Sequence, residues 1–478
     1  MENNNLSDTG KGHVFHRTLS LLDGTLLVIG SMIGSGIFIV SAGITQSLGS
    51  AGWLIVVWLI SGFITLTAAL SYGELSGMFP QAGGQYVYLR EAFGKFYGFL
   101  YGWSFFAVIQ TGTIAAVGVA FGKFTGYLLP QLGDNNILFS TGTGFHISAA
   151  QLVGIVIVIF LTYLNTLGVK SGKWVQFIFT FAKIAAIAGL IIFGFSKITD
   201  HSIWSGNWTN AWQAMKISGD KQVITHESIS GIALFLTISG AMVGALFSSD
   251  AWNSVTFIAG EIKKPERNIG LSLFIGTLVV TLLYVCMNFM YLNVMSVHDI
   301  ANAPSERVAT AAALKIFGDD GAKIIAMLIM VSTFGCNNGL ILSGARVYYT
   351  MAKDSLFLKQ AGTLNEQGVP AKALWMQCIW ASVLCLSGQY GNLLDYIVFT
   401  VLLFYILTIG GIFRLRTTQP NAERPYKAFG YPLIPAIYIL LAAAICIGLI
   451  ITKPLYAGMG LIIVISGIPV YFFTQKKS

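Results

Sequence analysis

Gly30-Ser31-Met32-Ile33-Gly34-Ser35-Gly36-Ile37-Phe38 lies in the middle of the first long apolar run of the chain. Three glycines and two serines within nine residues weaken a helix, because glycine costs backbone entropy and serine competes for backbone hydrogen bonds. A second interruption, Gly244-Ala245-Leu246-Phe247-Ser248-Ser249-Asp250-Ala251-Trp252-Asn253, falls in the sixth apolar run. There an acid and three small polar residues favour unwinding or a cap over continuous helix. Irregular backbone at membrane depth persists only where it is buried in protein or lines a watery cavity.

A membrane-spanning helix needs about 20 mostly apolar residues. That ruler predicts twelve spans: 21–48, 52–78, 96–129, 147–168, 172–196, 228–258, 268–293, 321–352, 372–388, 391–414, 431–452 and 455–474. The third and eighth runs exceed the bilayer, so these helices tilt or project. The composition agrees. Of 478 residues 55% are hydrophobic and only 10% are charged, and the mean hydropathy is +0.72. This is too little charge to coat a soluble globule, which excludes a soluble enzyme, a nucleic-acid binder and a secreted disulfide scaffold. The polar N-terminus lacks the small-residue exit site of a cleavable signal peptide.

An even span count puts both termini on one side. With the termini in the cytoplasm, 19 Lys and Arg residues fall inside and eight outside, with Lys183 left over in mid-helix. This is the positive-inside pattern. The five cysteines, Cys286, Cys336, Cys378, Cys385 and Cys446, all lie in apolar stretches without metal-ligand spacing and read as small buried hydrophobes. No nucleophile–base pair, phosphate loop, dinucleotide fingerprint or histidine cluster is present, so neither an enzyme nor a cofactor or metal is expected.

The two interruptions stand in spans 1 and 6, five apart. Five is odd, so corresponding helices run in opposite directions, as in an inverted 5+5 repeat with a site between two broken helices. The competing reading of the first motif is a small-residue face for a neighbouring helix. The outer half of span 1 starts near Gly34 to Ile37 and turns free amides and a partial positive charge to the membrane centre, which suits a carboxylate. The outer half of span 6 ends near Phe247 and presents carbonyls to the same centre, which suits an ammonium group. Donors on one side and acceptors on the other match the zwitterion of an α-amino acid.

Several stretches carry a family resemblance: GSMIGSGIF (30–38), SYGELSGMFPQAGGQYVYLREAFG (71–94), GALFSSDAWNSVTFIAGEIKKPERNIG (244–270), FGCNNGLILSGARVYYTMAKD (334–354) and RPYKAFGYPLIP (424–435). The chain resembles an amino acid permease of the amino acid–polyamine–organocation superfamily, most of all the L-amino acid transporter family. The resemblance implies an all-α membrane protein with twelve transmembrane helices, a LeuT-type 5+5 inverted repeat and two extra C-terminal helices. The layout becomes a cytoplasmic tail (1–19), a first repeat with the following outer loop (20–227), a second repeat (228–415), and helices 11–12 with a cytoplasmic tail (416–478).

It further implies that the substrate carboxylate meets backbone at Ile33, Gly34, Ser35 and Gly36. The amino group then meets carbonyls of Met32, Phe247 and Asp250, with Ser248 beside them. Phe247 matches a gating aromatic and Asn338 a small polar position of span 8 near the site. Lys183 matches a lysine of span 5 that looks toward spans 1 and 8 and substitutes for the sodium ion of related carriers. Its alternative is a purely structural ammonium holding span 1 carbonyls and hydroxyls such as Ser343. The chain departs from the family at Ser249, Asp250 and Ala251, where an aromatic and two glycines are usual. Asp250 is open to three readings: an N-cap for an inner half-helix starting at Ala251, a counter-ion for a cationic substrate, or a proton site. Glu74 and Glu261 read as solvated or paired interface charges, Asp23 as capping or flanking the start of span 1, and Arg346 as meeting cytoplasmic carboxylates. Residues 130–147 lack the cysteine by which eukaryotic light chains join a heavy chain, so no disulfide-linked partner is expected.

The resulting expectation is a multi-pass carrier in the plasma (inner) membrane. It is a sodium-independent exchanger of neutral L-amino acids working by alternating access, whose only partners are the small-molecule substrate and the bilayer. Proton-coupled symport, transport of cationic amino acids or amines, and a non-transporting receptor or channel are the alternatives.

Overall fold

A computed structural model describes residues 17–141, 146–197, 201–217, 224–387 and 390–475. The expected cytoplasmic tail up to residue 16, and Lys476 and Lys477, lie outside the described residues. The helices in chain order are α1 (Leu21–Met32), α2 (Gly36–Leu48), α3 (Ala51–Met78), α4 (Gln85–Phe93), α5 (Lys95–Ser104), α6 (Gln110–Leu128), α7 (Ala149–Thr166), α8 (Val169–Lys197) and α9 (Ser202–Thr209). They continue as α10 (Gly231–Ser248), α11 (Ser254–Phe257), α12 (Pro265–Val294), α13 (Val297–Ala301), α14 (Val308–Lys353), α15 (Ala371–Ser387), α16 (Tyr390–Thr418), α17 (Leu433–Thr452) and α18 (Pro454–Gln475).

Among the described residues ten helices are long and apolar enough to cross a membrane. The bent pair α1–α2 adds one further span, and the shorter apolar α15 stands where span 9 is expected. The protein is therefore a multi-pass, mostly helical membrane protein. A π-helical segment at Phe105–Ile109 joins α5 to α6 and makes the long third span. The 46-residue α14 turns at Gly318 (φ 75°), so a short surface helix leads into the span proper.

The expectation of an all-α chain needs correction in the loops. Two antiparallel hairpins occur, β1 (Ile137–Ser140) with β2 (His146–Ser148) and β3 (Ala214–Ile217) with β4 (Ile224–Ile229). These short segments connect apolar helices and satisfy their backbone by pairing. The loop that carries α9 and β3 covers the α2–α3 corner, as a capping loop should. Gly52 N donates to Ala211 O at 3.0 Å and Trp53 Nε1 to Trp212 O at 3.1 Å.

Inside, α1 packs against α8, α12 and α14, while α10 packs against α2 and α17. The helix α3 runs along α12, and α6 lies between α7 and α14. This surrounds both broken segments with protein. Asp23 and Ser20 form a capping box at the start of α1: Ser20 N donates to Asp23 Oδ2 at 2.8 Å and Asp23 N to Ser20 Oγ at 3.3 Å. Cys336, Cys378, Cys385 and Cys446 are buried, as expected, but Cys286 faces outward from α12.

Candidate functional site: two broken helices

The first break bends α1 against α2 by 41°. Ile33 is extended (φ −76°, ψ 92°), and Gly34 N turns back to donate to Met32 O at 2.9 Å. That diverts Gly34 from the Gly30 carbonyl it would bond in a continuous helix. Gly36 and Ile37 open α2 and precede its first intrahelical bond, so their amides face the break. The glycines also serve packing. A Cβ on Gly34 would press on Cys336 Sγ at 2.9 Å, and one on Gly36 would overlap the Ser248 side chain. The small-residue face and the broken helix are therefore one feature: Gly36 brings the two breaks together and Gly34 seats α14 against the first.

The second break follows Ser248. Asp250 N donates to Phe247 O at 3.1 Å, and Ala251 takes a left-handed conformation (φ 63°). Helix resumes only at Ser254, with Asn253 at its N-cap. The reading of Asp250 as the cap of a helix starting at Ala251 is therefore corrected, because the left-handed turn delays the helix by three residues. The Asp250 carboxylate instead accepts a hydrogen bond from Tyr405 Oη on α16 at 2.6 Å. Trp252 and Tyr72 close around this pair, their rings 5.4 Å and 6.0 Å from the Tyr405 ring. Asp250, Val401 and Tyr405 separate two small cavities of about 20 Å³ each, room for about one water apiece.

Three helices hold the buried carbonyls that the first break frees from helical bonding. Lys183 on α8 is 1% exposed and donates to Gly30 O at 2.8 Å, Ile33 O at 2.7 Å and Ser332 O at 3.0 Å. Ser332 Oγ on α14 lies 3.3 Å from Ile33 O and 3.2 Å from Gly34 O, and Cys336 Sγ lies 3.0 Å from Ser31 O. Tyr284 Oη on α12 stands 3.0 Å from both Met32 O and Ser248 O, one carbonyl from each break. Phe247, at the last turn of α10, is 7% exposed.

A sequence profile described as "Amino acid permease" matches residues 19–473. The "Serine/threonine exchanger SteT" of Bacillus subtilis is 30% identical over 96% of this chain and 97% of its own length. The chain belongs to the amino acid permease family. The permease is also 28% identical to the mouse "b(0,+)-type amino acid transporter 1", over 95% of this chain and 87% of that one. It is 29% identical to the human "Large neutral amino acids transporter small subunit 2", over 97% and 81% respectively.

Within the permease, Met32 to Gly36, Phe247, Ser248, Asp250 and Lys183 come together at the two breaks. Asn338 does not join them. Its Oδ1 accepts from Asn165 Nδ2 on α7 at 2.8 Å, behind α14 as seen from α1. Two residues rotate a helix by roughly 200°, so Cys336 faces α1 and Asn338 faces away. Ser343 does not meet Lys183 either, because its hydroxyl donates to Gly339 O at 2.8 Å within its own helix. Arg346 does meet a carboxylate, the buried Glu261 at 3.1 Å. Glu74 is paired and buried, accepting from Arg416, Arg424 and the Ala428 amide.

Tyr284, Tyr405 and Ser332 are residues at the breaks that the sequence reading missed. For Tyr284 the signal was a polar stripe within an apolar span. Tyr284, Asn288 and Tyr291 recur at helical spacing, and all three face the first broken helix. Asn288 Oδ1 accepts from Ser41 Oγ at 2.6 Å, and Tyr291 Oη donates to Ile37 O at 3.1 Å.

Proposed function

We propose that the permease is a sodium-independent exchanger of neutral L-amino acids that works by alternating access. The observation that supports this most is the Lys183 ammonium seated among the Gly30, Ile33 and Ser332 carbonyls. Three carbonyls converging within 3.0 Å of a cationic nitrogen are the surroundings an alkali ion would take, and a fixed charge there makes the ion redundant. In this reading the substrate carboxylate meets backbone at Ile33 to Gly36. The ammonium approaches the carbonyls of Met32, Phe247 and Asp250 near Ser248. Met32 O accepts from Gly34 N and stands 3.0 Å from Tyr284 Oη, so an ammonium there takes over from a hydroxyl. Phe247 closes over the substrate as a gate. Asn338 acts only through α7.

The architecture behind this reading is twelve spans: ten long helices, the bent pair and α15. It is ordered as a LeuT-type 5+5 repeat (20–227 and 228–415) with two further helices. Both termini are cytoplasmic, the plasma membrane is the site of action, and no disulfide-linked heavy chain is needed. On the side that this reading takes as inner, Glu261 and Arg346 form a buried pair and Asn253 Nδ2 donates to Gln85 Oε1 at 3.2 Å. Uptake of a labelled amino acid into proteoliposomes, competed by a panel of unlabelled amino acids with and without sodium, tests the reading. Saturable, sodium-indifferent exchange supports it, and accumulation that requires sodium overturns it. Leakage without saturation would favour a channel.

One observation favours a second reading. The half-buried Asp250 carboxylate lines both central cavities, so a cationic side chain or a proton would find a counter-charge there. Uptake of arginine, or stimulation by a proton gradient, distinguishes it from the first.

A further inference from the structure

The end of α16 carries two arginines in contrasting surroundings. Arg416 turns inward and shares the buried Glu74 with Arg424, at 2.6 Å and 3.2 Å. Arg414 stands two residues earlier, roughly 200° around the helix, and is exposed. Its guanidinium lies over the Phe93 ring, 5.4 Å from the centroid, a cation–π contact that uses none of its N–H donors. Phe93 ends α4, and Gly94 (φ 98°) turns the chain directly into α5, which starts at the exposed Lys95. Among the described residues neither Arg414 nor Lys95 forms an ion pair.

Beside these two cations lies a bed of aromatic rings. Phe93 and Tyr97 have ring centroids 5.5 Å apart, and Phe96 sits 5.2 Å from Tyr471 and 6.4 Å from Phe472 at the end of α18. Tyr97, Phe472 and Phe473 are exposed. A Cβ on Gly94 would meet nothing within 4 Å, so the corner is open. Unpaired positive charge, apolar rings next to it and open space suit a molecule with an anionic head and hydrocarbon tails. The corner also bears on the broken helices. At the other end of α4, Gln85 Nε2 donates to Thr408 Oγ1 on α16 at 3.0 Å, and Gln85 Oε1 accepts from Asn253 of the second break. Tyr86 Oη donates to Asp354, just past α14, at 2.7 Å. The helix α4 thus ties α14, α16 and the second break together, and its far end is this corner.

We propose that Arg414 and Lys95 form a binding site for one anionic phospholipid of the cytoplasmic leaflet. Its phosphate bridges α16 to the α4–α5 corner, and its acyl chains run along Phe96, Phe472 and Phe473. The guanidinium fork matches phosphate oxygens, and the cytoplasmic leaflet is the anionic one. The choice of leaflet rests on the topology proposed above, but binding is read without substrate, so it stands or falls apart from the amino acid reading. Native mass spectrometry of the purified full-length permease, titrated with dioleoyl phosphatidylglycerol or dioleoyl phosphatidylcholine, tests it. One phosphatidylglycerol should bind more tightly than phosphatidylcholine by about 10-fold or more, the worth of one hydrogen bond to a charged group. Arg414→Gln with Lys95→Gln should bring that preference below about 2-fold. Lys263→Gln with Lys264→Gln, which removes the same charge from two exposed lysines beside α12, should leave it intact. Should the first pair fail to fold, Arg414→Gln alone should still lower the preference by about 3-fold or more. A wild type without the preference, a preference that survives in folded Arg414→Gln with Lys95→Gln, or an equal loss in the Lys263 and Lys264 pair would overturn the site. Displacement of phosphatidylglycerol by an equimolar amount of inorganic phosphate would also overturn it, by marking a site for a soluble anion.

Discussion

Replacing Lys183 by methionine removes three hydrogen-bond donors while keeping most of the side-chain volume. Of its three acceptors, Ser332 O lies within α14 and keeps its own helix partner. Gly30 O does not, because the Gly34 amide that would serve it donates to Met32 O instead. Ile33 O retains only Ser332 Oγ at 3.3 Å. A buried carbonyl left without a donor costs about 1–3 kcal/mol; Gly30 O loses its donor outright and Ile33 O shares one hydroxyl proton with Gly34 O, so together they give roughly 1.5–4.5 kcal/mol against this arrangement of the break. Removing a buried ammonium recovers part of its desolvation cost, which places the net effect near the lower end. At about 1.4 kcal/mol per decade, a loss of roughly 30-fold in exchange rate is expected for Lys183→Met. Lys183→Ala should be impaired as strongly, because bulk water has no route into a site this enclosed. The assay is counterflow in proteoliposomes, with size-exclusion profiles to establish that both variants are folded. Exchange within about 3-fold of wild type in folded Lys183→Met would refute the reasoning, as would stimulation of the wild type by sodium.

Further outcomes follow from the same geometry. Phe247→Ala should lose far more exchange than Phe247→Trp, and equal activity of the two would reduce Phe247 to a packing residue. Ala251→Gly relieves a left-handed non-glycine residue worth about 1–2 kcal/mol, offset by glycine's backbone entropy of about 0.5–1 kcal/mol. Its melting temperature by scanning fluorimetry should rise by about 1–3 °C, and a fall would show that the Ala251 methyl group contributes packing. Asp250→Asn keeps an acceptor for Tyr405 and should retain alanine uptake. If wild-type arginine uptake vanishes in that variant while alanine uptake persists, Asp250 selects a cationic substrate.

The features legible in sequence are those in which a local anomaly stands against a uniform background. Gly34 and Gly36 interrupt an apolar run, and Lys183 is a lone charge in mid-helix that has to find acceptors in protein. Each therefore announced both its place and its environment. What failed depended on rotation and fine backbone geometry. Asn338 and Cys336 differ by two residues on a long helix, yet only the second faces α1. Asp250 has the chemistry of a cap, but nothing in the residue sequence shows that Ala251 turns left-handed and moves the helix start to Ser254. Tyr284 escaped notice because an aromatic in an apolar span is ordinarily lipid-facing or core. Only its spacing with Asn288 and Tyr291 distinguishes it. The hairpins at 137–148 and 214–229 are too short to carry a strand pattern of their own.

In the proposed exchanger a zwitterion lies with its carboxylate on the first broken helix and its ammonium on the second. Competition against labelled L-alanine counterflow by ethylamine, which lacks the carboxylate, and by propionate, which lacks the ammonium, tests that claim most directly. Unlabelled L-alanine should compete fully, and each analogue should fail at concentrations at least 100-fold higher. Competition by either analogue comparable to that of alanine itself would contradict it.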